Sequence, residues 1–225
     1  VLALVLDRVH LQRLLDLPSP QLTEEEQAFI DGPVDELCRR LDDWAICEQG
    51  DLPAEIWDFI KKSGLFGLII PKKHGGLGFS ALAHSAIVMK IASRSVTTAV
   101  TVMVPNSLGP AKLLLHYGTD EQKAQYLNRL AKGEEIPCFA LTGPQAGSDA
   151  GAIPDDGIVE YGEFNGEKVL GIRLNFNKRY ITLAPVATLI GLAFKLKDPD
   201  QLPGEDPNPG IPLALTPPNT SGLAI

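Results

Sequence analysis

Two hydroxyls and a carboxylate, Thr142, Ser148 and Asp149, fall within one loop punctuated by Gly143, Gly147 and Gly151. The loop follows Cys138-Phe139-Ala140-Leu141, a short apolar run of the kind that forms a buried strand. Glycine removes the Cβ barrier, so backbone here can approach a ligand closely while the polar side chains orient it. Spacing alone leaves that role and a long surface turn equally open. No Gly-Lys-Ser/Thr follows, so this is not a Walker loop, and no G-x-G-x-x-G is present for a dinucleotide fingerprint. A further hydroxyl, Thr182, follows Tyr180 and Ile181 in a second apolar stretch; taken alone, such a threonine more often bonds only backbone. The glycines of Gly75-Gly76-Leu77-Gly78 have no partner cation and read as a turn that opens a helix. His10, His74, His84 and His116 are scattered, and no His/Cys/Asp/Glu cluster has metal-ligand spacing, which argues against a metal.

The elements that must position these groups divide at Gly133. Leu2, Leu6, Val9, Leu14 and Leu17 mark one side of an amphipathic stretch ended by Pro18 and Pro20. Thr23 and Glu26 form a capping box for a helix that breaks at Gly32-Pro33 and resumes through Leu37, Leu41 and Trp44. Pro53 opens another helix that Gly64 closes. Ser80 caps a long apolar helix over 81–104, whose β-branched second half keeps the helical assignment because no turn signal divides it. A short helix spans 108–117, and a second capping box, Thr119 to Gln122, opens a helix over 121–132. Beyond Gly133, strands are expected over 136–141, 157–164, 169–176, 179–183, 187–194 and 211–215, with Asn165-Gly166 as a hairpin turn. The fold class is therefore α+β: an all-α domain over 1–133, then a β domain over 134–225.

Composition narrows the partners. With 20 basic and 28 acidic residues the net charge is −8, which argues against nucleic acid, whose phosphates call for clustered Lys and Arg. Cys38, Cys47 and Cys138 make no disulfide framework and favour a reducing compartment. No apolar run is long enough to span a membrane, and the apolar start lacks the basic leader of a signal peptide. Beginning at Val1 and stopping at Ile225 in mid-pattern, the chain reads as a piece of a longer protein.

Three segments carry a resemblance. Phe139-Ala140-Leu141-Thr142-Gly143-Pro144-Gln145-Ala146-Gly147-Ser148-Asp149-Ala150-Gly151 resembles the acyl-CoA dehydrogenase signature, an aromatic followed by T-E-P-x-A-G-S-D-x-x-G. Lys178-Arg179-Tyr180-Ile181-Thr182 is similar to that family's K-x-W-I-T strand, and Ile70-Pro71-Lys72-Lys73-His74-Gly75-Gly76-Leu77-Gly78 to its I-P-E-x-Y-G-G-L-G turn. The order matches, and from about Thr23 onward the wording most resembles the large bacterial fatty-acid β-oxidation members. Gly143 replaces the usual Glu and Tyr180 the usual Trp; the lost carboxylate has no evident substitute.

The resemblance implies FAD as cofactor, a helical N-terminal domain, an antiparallel barrel- or sandwich-like middle domain, and a C-terminal helical bundle beyond residue 225. It places Phe139, Leu141, Thr142, Ser148, Tyr180, Ile181 and Thr182 at the flavin and Ser148 also at the acyl-CoA. It implies α,β-dehydrogenation of fatty acyl-CoA to trans-2-enoyl-CoA, electron-transfer flavoprotein as acceptor, a homo-oligomer, and a cytoplasmic location with inner-membrane association of the parent left open. The family's catalytic glutamate belongs to the missing bundle, so no base is assigned and the piece alone is expected to be inactive. An acyl-CoA oxidase using O2 and a non-catalytic acyl-CoA- or flavin-binding module are the alternatives.

Overall fold

The computed structural model describes residues 15–225 apart from 108, 165 and 205; most of the amphipathic stretch expected over 2–17 lies outside them. Thr23 caps α1 (Glu24–Phe29) with the expected capping box. The Glu26 carboxylate reaches further, accepting the Ser80 N–H at 2.7 Å. Ser80 is the N-cap of α5 (Ala81–Ala92), so one buried carboxylate joins the start of two helices.

The break expected at Gly32-Pro33 is absent. The backbone passes through a π-helical turn, Ile30–Val34, straight into α2 (Asp35–Arg40). Proline has no N–H and crowds the carbonyl one turn back; a wider turn relieves both. The Lys90 ammonium takes up the Ile30 carbonyl at 3.0 Å. Next come α3 (Asp43–Gln49) and α4 (Ala54–Lys62), the latter entered from Pro53 and followed by Gly64 at φ +78°. Their apolar faces meet α5 in one core that includes Leu37, Ile46, Ile60, Phe66, Ile87 and Ile91.

The single helix expected over 81–104 is two, α5 and α6 (Val96–Met103). The turn signal was Ser93-Arg94-Ser95. Ser95 leaves helical geometry at φ −151° and its hydroxyl caps α6 by accepting the Thr98 N–H at 3.3 Å. The β-branched run does stay helical, since Ala99 and Val102 are buried in the core. α7 (Pro110–Tyr117) and α8 (Asp120–Ala131) follow, with the Thr119–Gln122 capping box formed.

The rest builds two three-stranded sheets from β1 (Pro137–Ala140), β2 (Asp156–Phe164), β3 (Glu167–Asn175), β4 (Leu189–Ala193), β5 (Lys195–Lys197) and β6 (Leu213–Thr216). One has the order β1-β4-β6, the other β3-β2-β5. The β2–β3 hairpin pairs Phe164 with Glu167, with Gly166 at φ +81°, as a two-residue turn requires. Helices then sheets is the expected architecture, but neither sheet closes into a barrel among the described residues. Each sheet is also mixed, because β1 runs parallel to β4 and β2 to β5.

The strand expected over 179–183 does not form. Tyr180 and Leu183 sit at φ +58° and +68°, which no extended strand tolerates, and Ala184–Val186 is a single 3-10 turn. Strand propensity at Tyr180-Ile181-Thr182 loses to tertiary ties on both sides: Arg179 N–H donates to the Thr142 carbonyl at 3.0 Å, and Leu183 packs into the helical core. β5 was unanticipated; its lysines disguise three residues paired to β2.

Candidate functional site

The first motif loop leaves β1 at Ala140. Leu141 is half-buried and packs on Ala146, Ile153 and Ala193. Gly143 and Ala146 exchange backbone hydrogen bonds, which turns the chain sharply and leaves Gln145, Gly147, Ser148 and Asp149 exposed. A Cβ at Gly147 would meet nothing within 4 Å, so that stretch of backbone is open to approach.

The second motif lies alongside. Lys178 and Asp155 form an ion pair at 2.6 Å, with side chains only 5 % and 1 % exposed. The same ammonium donates to the Leu141 carbonyl at 2.9 Å, and the other Asp155 oxygen accepts the Asn177 N–H at 2.8 Å. Beyond this anchor the chain turns outward, leaving the Tyr180 ring 88 % exposed, Thr182 exposed, and Ile181 half-buried on the sheet core. Sequence reasoning missed both members of the pair. Lys178 stood in the second motif, but nothing in the sequence pairs it with an aspartate 23 positions earlier.

The candidate residues do not all face one space. A cavity of about 370 Å³ is lined by Lys178, Arg179, Tyr180, Ile181, Cys138 and Ala140, with Leu223 to Ile225 at its rim. Thr142 adjoins it through the Arg179 backbone, whereas Ser148 projects from the exposed loop. Phe139 does not reach it. Side chains alternate along β1, so Cys138 and Ala140 face the cavity while the Phe139 ring lies near Gly191 and Pro110. There it lines a second cavity of about 770 Å³, largely apolar, between α7, α8 and the sheets.

Burial raises the Cys138 thiol to about 11, so it is an inert wall of the first cavity. Among the described residues the hydroxyls of Thr142, Ser148 and Thr182 make no side-chain hydrogen bond. The Tyr180 and Ile181 side chains line the first cavity, while Thr142, Ser148 and Thr182 lie outside its lining. The Gly75-Gly76-Leu77-Gly78 turn offers no comparable donors. Its Leu77, Gly78 and Phe79 N–H groups already bond the carbonyls of Gly67, Ile70 and Leu68 at 2.7–2.9 Å.

Residues 22–134, half of the chain, match the model of the acyl-CoA dehydrogenase N-terminal domain. The chain belongs to the acyl-CoA dehydrogenase family. A subunit of the caffeyl-CoA reductase–Etf complex of Acetobacterium woodii is 38 % identical over 139 residues, covering 62 % of this chain and 34 % of that protein. An acyl-CoA dehydrogenase of Bacillus subtilis is 30 % identical over 175 residues, 78 % of this chain and 42 % of that one. This acyl-CoA dehydrogenase-family chain thus spans well under half the length of these relatives. In fold it resembles a Mycobacterium smegmatis glutaryl-CoA dehydrogenase solved with FADH2, with a TM-score of 0.69 at 23 % identity, covering 89 % of this chain and 47 % of that one.

Proposed function

We propose that this chain is the N-terminal and middle part, 1–133 and 134–225, of an FAD-dependent enzyme that dehydrogenates fatty acyl-CoA to trans-2-enoyl-CoA. The observation that carries the reading is the junction of the two motifs: Leu141-Thr142 and Lys178-Arg179 are held side by side, with Tyr180 and Ile181 lining the adjoining cavity. In this reading a bound flavin would supply the hydride-accepting chemistry of α,β-dehydrogenation, and a base outside this chain would take the α-proton. Thr142 and Thr182 would help hold the flavin through their hydroxyls, and hydrogen bonds of that kind would favour its more anionic, reduced form. Tyr180 and Ile181 would also hold the cofactor and help exclude water from it. Ser148 would contact cofactor and thioester from the open loop, whereas Phe139 lines the second cavity and would not share the pocket of Tyr180.

Asp155 is excluded as the base, because both its oxygens are bonded and its side chain is buried. The base belongs to the remainder of the parent protein, as do most of the acyl pocket and the homo-oligomer contacts. Electrons would pass to an electron-transfer flavoprotein. The 38 % identity to a reductase subunit favours a second reading at the same site, in which the same atoms run the reaction toward the saturated thioester.

A visible absorption spectrum of the chain with added FAD, followed by titration with octanoyl-CoA, tests this. Retention of flavin through gel filtration, lost on Thr142→Ala plus Thr182→Ala, supports the site. A chain whose parent protein holds no flavin refutes it. Bleaching of the band by octanoyl-CoA favours dehydrogenation, and persistence in the parent protein favours the reductase reading.

A further inference from the structure

The two motifs are separate in sequence; two hydrogen bonds join them directly, and Asp155, which lies in neither, makes two more to the second and the residue just before it. Lys178 Nζ reaches Asp155 Oδ2 at 2.6 Å and the Leu141 carbonyl at 2.9 Å. Asp155 Oδ1 accepts the Asn177 N–H at 2.8 Å, and the Arg179 N–H reaches the Thr142 carbonyl at 3.0 Å. The Asp155 carbonyl also accepts the Lys195 N–H of β5 at 2.9 Å, so the anchor extends into the second sheet. Removing two ions from water costs about as much as their attraction returns, and apolar replacements of buried pairs are often neutral for stability. What such a pair does supply is fixed direction, because each charged group demands partners at set distances and angles. Apart from the ion pair itself, the two side chains bond backbone next to the site residues: the Leu141 carbonyl beside Thr142 and the Asn177 N–H just before the second motif.

We propose that Lys178 and Asp155 are positioning residues that set the spacing and orientation of Thr142 against Tyr180 and Thr182. Through them the pair shapes the flavin pocket rather than merely holding the fold. The inference rests on the flavin reading above. Asp155 lies outside the cavity lining, and Lys178, which lines it, is only 5 % exposed with its ammonium engaged by Asp155 and the Leu141 carbonyl. Apolar side chains of similar volume would fill the same space, yet they would leave the Leu141 carbonyl and the Asn177 N–H without partners. The two segments could then slide past each other. Tyr180, held at φ +58°, depends most on that anchor, because among the described residues its exposed hydroxyl has no hydrogen-bond partner.

The test compares wild type, Lys178→Arg and the double variant Lys178→Met with Asp155→Leu. Two readouts are followed: hydrogen exchange of the Arg179 amide, which reports the bond to Thr142, and FAD affinity by quenching of flavin fluorescence. The double variant is expected to keep wild-type exchange in α8 and the β2–β3 hairpin. Its Arg179 amide should exchange about tenfold faster and its FAD affinity should fall about tenfold or more. Wild-type values for both readouts in a folded double variant would overturn the proposal. Should the double variant unfold, Lys178→Arg decides, because it keeps the charge but changes its reach: unchanged Arg179 exchange and FAD affinity overturn the idea, and a shift in both supports it. Where the wild-type chain alone binds no FAD, affinity is read in the parent protein; a parent that binds none would sink the cofactor reading, and the Arg179 exchange would then decide whether the pair sets the junction.

Discussion

Replacing Glu26 with glutamine tests the joint between α1 and α5. The carboxylate is 4 % exposed and accepts the Thr23 N–H at 2.9 Å and the Ser80 N–H at 2.7 Å. These backbone donors, Thr23 first and Ser80 second, hold the carboxyl at about 2 instead of its ordinary 4.5, against the opposing effect of burial. At ~1.4 kcal/mol per pH unit, that difference stabilises the fold by about 3 kcal/mol at neutral pH. The sign follows from the lowered folded-state value. The contribution is complete above about pH 4.5, shrinks as pH falls toward 2, and amounts to only about 1 kcal/mol at pH 3. Glutamine keeps an acceptor oxygen but not the charge, so Glu26→Gln should cost about 2–3 kcal/mol at pH 7. The assay is urea unfolding followed by tryptophan fluorescence, from pH 7 down to pH 3, for both proteins. The gap between them should narrow steadily below about pH 4.5. A gap that stays constant with pH, or one under about 0.5 kcal/mol at pH 7, would refute the reasoning.

Other perturbations follow from local geometry. A Cβ at Gly76 would stand 2.1 Å from the Ile70 carbonyl oxygen and 2.7 Å from that of Gly67. Since both are backbone, Gly76→Ala should cost about 2 kcal/mol or more and lower the thermal midpoint; an unchanged midpoint would mean the turn yields freely. Asn106 is buried and its amide donates to the carbonyls of Leu65 and Val102 at 2.7 and 2.9 Å, so Asn106→Leu should destabilise by about 2 kcal/mol in denaturant titrations. Of the three thiols only Cys47 is exposed, and burial raises those of Cys38 and Cys138. Ellman's reagent should therefore titrate one thiol rapidly in the native protein and all three in guanidinium, while fast reaction of Cys138 would show that the first cavity opens readily.

What was legible in the sequence was local. Thr23 with Glu26, and Thr119 with Gln122, form capping boxes from residues three apart, and no distant contact can easily undo them. Gly166 marked the hairpin for the same reason. The motif loop at Thr142 and Ser148 was visible as composition, and its neighbour at Tyr180–Thr182 as resemblance. The mistakes lie where distant contacts overrule local preference. Ile181 and Thr182 favour a strand, yet a buried charge at Lys178 and the core contact of Leu183 bend the segment into a turn. Ser95 was overlooked as a cap because the apolar stretches before Ser93 and after Ser95 are joined by only three polar residues with no Gly or Pro among them. Phe139 shares a motif with Thr142, but strand alternation, not motif membership, decides which cavity it lines.

The parallel pairing of β1 with β4 has a temporal consequence. Pro137 aligns with Leu189, and the whole β2–β3 hairpin lies in the chain between them. Hairpins close in microseconds, whereas a parallel pair of such separation must first lose the entropy of a long loop. The hairpin and the capped helices are thus expected to form early, and the junction of the two motifs late. A ligand that fits only the finished junction would then leave the refolding rate almost unchanged and act by slowing unfolding, a difference that stopped-flow measurements with and without ligand can read.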